Sequence, residues 1–282
     1  MNYTFFDNGP PRRNHPNGTI YAEDVPKVLQ SYQWYWNFTV DEKEEGHRDR
    51  NTNGNIKVTM EKTPCYMFNP KIVHEIKSII PSAKIIIMLR DPVERAYSHY
   101  KMLISFRYFK RMKKFFPNAK HDETLPVSFK DCVKMDIGIL EKVGFFLAKN
   151  MTERDDAWMK YLNHPSQRRC DSIVGRGIYS QQLKVWWKLY NEEERRDQFL
   201  ILKSESLRPD TQSGMIDFRP VTNFLGVSDV TVNGTEVIHA SHKIMDSSSD
   251  DETRLLLRKL YAPYNKELET LLGKEWESFG VE

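Results

Sequence analysis

The stretch Ala83-Lys84-Ile85-Ile86-Ile87-Met88-Leu89 limits the possible folds more than any other, being apolar and largely β-branched without alternation. Such a run reads as a strand covered on both faces, the habit of parallel sheets in α/β proteins. Asp91-Pro92 then breaks the strand. Proline at a first helical position, with Glu94 close behind, predicts a helix through Arg95-Ala96-Tyr97-Ser98-His99-Tyr100. Arg90 is thereby set at the carboxyl end of a central strand, where open α/β sheets place their ligands. Ser98 falls about two turns into the helix and can face the same crevice. Arginine offers a planar fork of donors suited to phosphate, and serine adds one hydroxyl. Upstream, Lys62 in Glu61-Lys62-Thr63-Pro64 supplies a cation at the end of another strand, separated from Arg90 by a helix and the buried strand. Lys62, Arg90 and Ser98 together are chemistry for holding a phosphorylated nucleotide. The same residues admit a plainer reading, in which Arg90 pairs with Asp91 at the surface and Ser98 only fills the helix.

A chain of 282 residues with 39% hydrophobic content can bury one sizeable α/β core. A single domain over 1–282 is expected, with 8–55, rich in Pro, Asn, Gly and charge, as a loop-rich insertion. A net charge of +3 is mild and gives no reason to expect nucleic acid. Local basic clusters, Lys110-Arg111-Met112-Lys113-Lys114 and Arg168-Arg169, suit a polyanionic sugar chain and equally suit solvated faces. The three cysteines show no Cys-x-x-Cys spacing and the eight histidines no His-x-x-x-His pair, so no metal site is expected. There is no apolar stretch of roughly 18 residues and no signal peptide. Five Asn-x-Ser/Thr sequons, at Asn2, Asn17, Asn37, Asn150 and Asn233, fit a glycoprotein of the secretory pathway.

The motifs resemble those of the sulfotransferases that use 3′-phosphoadenosine 5′-phosphosulfate (PAPS), in particular the Golgi heparan sulfate N- and 3-O-sulfotransferases. Glu61-Lys62-Thr63-Pro64-Cys65-Tyr66 is similar to their Glu-Lys-(Thr/Ser)-x-x-Tyr strand end. Leu89 through Ser98 is similar to their Leu-Arg-(Asp/Asn)-Pro-x-x-Arg-x-x-Ser run. Phe5-Phe6-Asp7, the helix from Gly177-Ile178-Tyr179 to Trp186, the strand within Gln198–Glu205 and the helix end Phe224-Leu225-Gly226 follow in the family's order. The resemblance implies a P-loop-NTPase-like α/β fold, a parallel sheet flanked by helices, truncated at the N-terminus. It implies PAPS as co-substrate, no metal, and transfer of a sulfuryl group to a hydroxyl or amine of a glycosaminoglycan-like polysaccharide or other glycan. Arg90 and Ser98 would bind the 3′-phosphate, Lys243 would survive from a loop that closes over the nucleotide, and Lys62 would neutralise charge near the transferring group. Family members are usually Golgi type II membrane proteins, whose anchor would come from a preceding segment. In that oxidising lumen Cys132 is expected to pair with Cys170, because Cys65 stands beside the strand-end motif and is expected to be buried.

The family's Gly-rich phosphosulfate loop, whose backbone N–H groups cradle the anion, has no counterpart here, and an N-terminally incomplete domain is expected. The position of the family's general base is Asn2, which cannot remove a proton at neutral pH. A non-catalytic homologue that binds nucleotide or polysaccharide without transfer is therefore the alternative reading. A P-loop kinase would need a Walker lysine and a metal-binding Asp, and neither is visible. The cytosolic small-molecule sulfotransferases carry a C-terminal Gly-x-x-Gly-Asp-Trp-Lys element that is absent.

Overall fold

The structure is a computed structural model describing residues 65–104, 128–165, 172–229 and 248–273, with short strands at 49–50, 56–57 and 232–233. In chain order these form β1 (Asp49–Arg50), β2 (Ile56–Lys57), α1 (Pro70–Ile79), β3 (Ile85–Leu89), α2 (Pro92–Ile104), α3 (Phe129–Lys142) and α4 (Met151–Leu162). There follow α5 (Tyr179–Trp187), α6 (Glu192–Gln198), β4 (Phe199–Lys203), β5 (Met215–Ile216), α7 (Arg219–Leu225), β6 (Val232–Asn233) and α8 (Ser248–Leu272). The chain divides into two compact units, residues 1–88 with 182–236 and residues 89–181 with 237–282.

In the first unit, helix α1 starts where Asn69 accepts the Lys71 N–H at 3.1 Å and Pro70 occupies the first helical position. Its Val73 joins Trp186 and Tyr190 in a buried cluster, packed by Tyr66, Ile76, Ile85 and Phe199. The Trp186 indole N–H donates to the Met67 carbonyl at 3.2 Å, fastening the 65–68 turn to this cluster. Tyr190 and Phe199 meet edge-on at 4.8 Å, and Lys77 lies 4.2 Å above the Tyr190 ring while pairing with Glu194. Glu194 also closes the capping box of α6 with Asn191. Helix α7 ends as expected at Gly226, which takes φ 70°, the left-handed conformation that a helix C-terminus commonly needs.

Strands β3 and β4 pair as a small parallel sheet flanked by helices, the expected fold class. The expectation that β3 is covered on both faces is not met. Ile87 and Leu89 are buried, but Met88 between them is 55% exposed. The pleat sends alternate side chains to opposite faces, and an uninterrupted apolar run cannot show which face is open.

In the second unit the described regular elements besides Leu89 are helices. Helix α2 buries Val93, Ala96, Tyr97, Tyr100 and Leu103, spaced three and four apart along one stripe. Tyr97 meets Phe129 of α3 edge-on at 5.1 Å, and Arg254 of α8 lies 4.2 Å from the Tyr97 ring while pairing with Glu94 at 2.7 Å. Helix α3 places Phe129, Cys132, Val133, Asp136, Ile139 and Leu140 on its buried stripe. Asp136 is the exception in kind, a carboxylate 2% exposed among apolar neighbours. Its Oδ1 accepts the Tyr161 hydroxyl at 2.7 Å, and its Oδ2 accepts the N–H groups of Val174 at 2.6 Å and Gly175 at 3.2 Å. The segment so held is also gripped from α2, where Arg95 donates to the Ile173 carbonyl, and from α8, where the Tyr261 hydroxyl donates to the Val174 carbonyl at 2.9 Å. Ser172 enters it at φ 55°, a strained conformation for a residue other than glycine.

Cys132 is disulfide-bonded, whereas Cys65 keeps its thiol and is half-buried rather than buried. Phe5-Phe6-Asp7, the 8–55 insertion apart from β1, the 110–114 and 168–169 basic clusters and Lys243 lie outside the described residues.

Replacing Asp136 by Ala leaves a phenol and two amides buried without their acceptor, with an expected cost on the order of 3 kcal/mol or more. Asp136→Asn keeps an oxygen for the two amides and can turn its NH2 to the Tyr161 oxygen, so it should cost far less. Burial raises the Asp136 carboxyl from 3.8 to about 6, against the lowering effect of its Tyr161 and backbone hydrogen bonds. The folded chain then holds the proton where the unfolded chain has lost it. This stabilising contribution is fully present below about pH 4 and is lost as pH rises through about 6. Relative to Asp136→Asn, urea unfolding of the unmodified chain should therefore gain on the order of 3 kcal/mol between pH 7 and pH 4. A difference that stays flat across that range would contradict the buried carboxylate.

Candidate functional site

Only Arg90 and Asp91 separate the end of β3 from the start of α2. Asp91 starts the helix: its Oδ1 accepts the Val93 N–H at 2.8 Å and the Glu94 N–H at 2.9 Å, and its carbonyl accepts the Arg95 N–H at 2.8 Å. A capping carboxylate satisfies amides that have no partner inside the helix. No ion pair forms between Arg90 and Asp91.

Arg90 itself is half-buried. Its carbonyl accepts the Tyr179 hydroxyl at 2.9 Å, but its guanidinium makes no hydrogen bond or ion pair among the described residues. The arginines around it differ. Arg95 is engaged with the Ile173 carbonyl and lies 3.4 Å from the His99 ring nitrogen, and Arg254 is paired with Glu94. Ser98, two turns along α2, is also half-buried, and its hydroxyl has no partner among the described residues. A turn of 3.6 residues puts positions 91, 94 and 98 on one side of the helix. Among the described residues one half-buried guanidinium, just ahead of the positive end of a helix dipole, and one hydroxyl, about two turns into that helix, thus remain as donors. That combination suits an anion with several acceptor oxygens.

Of the four site residues expected from sequence, Arg90 stands at the strand-to-helix junction and Ser98 lies about two turns further along α2. Lys62 and Lys243 lie outside the described residues. No cluster of His, Cys, Asp or Glu among the described residues could hold a metal ion, and none of their helices is long and apolar enough to cross a membrane. The buried group of Asp136, Tyr161 and Tyr261 escaped the sequence reading. Its one signal is Asp136 itself, a carboxylate at a position where the spacing of α3 demands an apolar side chain.

Residues 13–124, less than half of the chain, match the sequence profile of the Sulfotransferase family. That stretch contains Lys62, Arg90 and Ser98. A segment of 91 residues, 32% of this chain, is 31% identical to the bifunctional heparan sulfate N-deacetylase/N-sulfotransferase 1 of Caenorhabditis elegans and spans 10% of that protein. Over 59 residues, 21% of the chain, it is 41% identical to the membrane-associated sulfotransferase kil1 of Dictyostelium discoideum, spanning 12% of that protein. Among solved structures, the sulfotransferase from Alicyclobacillus acidocaldarius superposes with a TM-score of 0.43 at 22% identity, over 76% of this chain and 65% of the other.

The different engagement of the two arginines gives a direct test. Arg90→Ala should leave unfolding free energy within about 0.5 kcal/mol of the parent, because its guanidinium makes no bond among the described residues. Arg95→Ala should cost on the order of 1–3 kcal/mol, because a buried carbonyl loses its donor. Chemical denaturation of both variants would show it, and equal losses would mean that the Arg90 guanidinium has an internal structural partner.

Proposed function

We propose that this chain is a PAPS-dependent sulfotransferase acting on a carbohydrate, with Arg90 and Ser98 holding the 3′-phosphate of the nucleotide. The observation that carries this reading is the Arg90 guanidinium at the β3–α2 junction and the Ser98 hydroxyl along α2, both without partners among the described residues, within the stretch that matches the sulfotransferase profile. Bound PAPS would supply the activated sulfuryl group. Sulfuryl transfer resembles phosphoryl transfer, an in-line displacement promoted mainly by positioning and by stabilisation of spread negative charge. Arg90 would hold the nucleotide through a two-pronged contact, Ser98 would add a third hydrogen bond, and Lys243 would contribute a further cation. Lys62 would stabilise the charge that develops as the bond to sulfur breaks.

An anionic polysaccharide or other glycan is the acceptor class this reading favours, because the basic clusters at 110–114 and 168–169 would offer it counter-charges. A secretory, Golgi-lumenal setting accords with the five sequons and with a disulfide-bonded Cys132. Of the three cysteines Cys65 keeps its thiol, so we assign Cys170 as the partner of Cys132. A membrane anchor, if the full protein has one, would come from a segment outside these residues. Asn2 at the position of the family's general base favours a second reading, nucleotide or polysaccharide binding without transfer.

Immobilised 3′-phosphoadenosine 5′-phosphate should retain the chain, and Arg90→Ala or Ser98→Ala should each weaken retention about tenfold or more, as expected for a lost hydrogen bond to a charged group. Unchanged retention in both variants would overturn the site assignment. Transfer of labelled sulfate to a panel of polysaccharides separates the two readings: product on any of them supports the enzyme, and nucleotide retention without product supports the binding protein.

A further inference from the structure

The Arg90 peptide lies between two regular elements and belongs to neither, since β3 ends at Leu89 and α2 begins at Pro92. Asp91 is fixed by the helix it caps. What fixes the Arg90 carbonyl is the hydroxyl of Tyr179, at 2.9 Å. Tyr179 is the first residue of α5 and is 5% exposed. It emerges from the tight turn Gly175–Gly177, where the Gly177 N–H donates to the Val174 carbonyl at 2.9 Å and the Ile178 N–H to the Gly175 carbonyl at 3.0 Å.

That turn is clamped from four helices. Arg95 of α2 holds the Ile173 carbonyl, Asp136 of α3 holds the Val174 and Gly175 N–H groups, Tyr161 of α4 holds Asp136, and Tyr261 of α8 holds the Val174 carbonyl. The fit leaves no room for a side chain at either glycine. A Cβ at Gly175 would come within 2.4 Å of the Tyr161 ring, and one at Gly177 within 2.6 Å of the Tyr261 hydroxyl.

We infer that Tyr179 is a positioning residue: it transmits the rigid placement of the clamped 173–177 turn to the Arg90 backbone and so aims the guanidinium at the nucleotide's 3′-phosphate. This rests on the 3′-phosphate reading above. A guanidinium on a long side chain binds a phosphate through two parallel hydrogen bonds only if its backbone is held, and the ends of β3 and α2 leave that carbonyl to Tyr179. Without the hydroxyl, Arg90 samples more orientations and loses part of its two-pronged contact.

The test compares adenosine 3′,5′-bisphosphate with adenosine 5′-phosphate, which lacks the 3′-phosphate, by equilibrium binding to the full 282-residue chain. Tyr179→Phe removes only the hydroxyl. It should lower the preference for the 3′-phosphorylated ligand about three- to tenfold, the range for one lost hydrogen bond. In an Arg90→Ala background the same change should have no effect on the preference, because the two residues act as one unit. Both ligands bind only the folded fraction, so their ratio is not moved by partial unfolding, and a role confined to stability would leave it unchanged. The inference is overturned if Tyr179→Phe keeps the parental preference, or lowers it as much with Ala at position 90 as with Arg. If Arg90→Ala itself leaves the preference intact, the 3′-phosphate reading is what fails.

Discussion

Asp136 is the constraint on which the second unit depends. A carboxylate shut away from water is costly unless its oxygens are fully hydrogen-bonded, and here the partners come from Tyr161 and from two consecutive amides of the 172–177 segment. Satisfying it brings α3, α4 and that segment into one arrangement. Arg95 and Tyr261 complete the same segment by taking its carbonyls, so that α2 and α8 meet it as well. Burial alone would push the carboxyl up much further; the hydrogen bonds and the Arg95 charge pull back, leaving it at about 6. The group sits near the point where it changes charge. Its contribution to stability therefore depends on pH within the range of acidic cell compartments.

The candidate anion site lies next to this framework and uses different residues. Neighbouring arginines on one helix and its leading turn divide the work: Arg95 is turned inward to a backbone carbonyl, while the Arg90 guanidinium has no internal partner among the described residues. Asp91, which could have neutralised Arg90, is occupied by the N-terminus of α2. A binding residue needs unengaged donors, and a structural one needs engaged donors. The junction shows both kinds within six residues, 90 to 95.

Much of this was legible in the sequence because it is local. The strand β3 and the helix start at Pro92 follow from propensity and capping within a few residues, while the helix after Gly177-Ile178, the strand at 199–203 and the stop at Gly226 were legible through the order of motifs in the resemblance. The open face of β3 at Met88 was not legible, since a short apolar run has no alternation to betray it. The clamp was not legible either. Its bonds join residues 25 to 89 positions apart, and each member read alone is an ordinary Asp, Tyr or Arg. Arg90 and Ser98 were visible as a spacing. That their donors are unengaged among the described residues is a property of packing, and only the structure shows it.

The most direct measurement is a crystal structure of the chain with adenosine 3′,5′-bisphosphate bound. The 3′-phosphate is predicted to lie within hydrogen-bond distance, about 3 Å, of both the Arg90 guanidinium and the Ser98 hydroxyl, with Arg95 still on the Ile173 carbonyl. A nucleotide whose 3′-phosphate rests on other residues, leaving Arg90 and Ser98 untouched, would contradict the account.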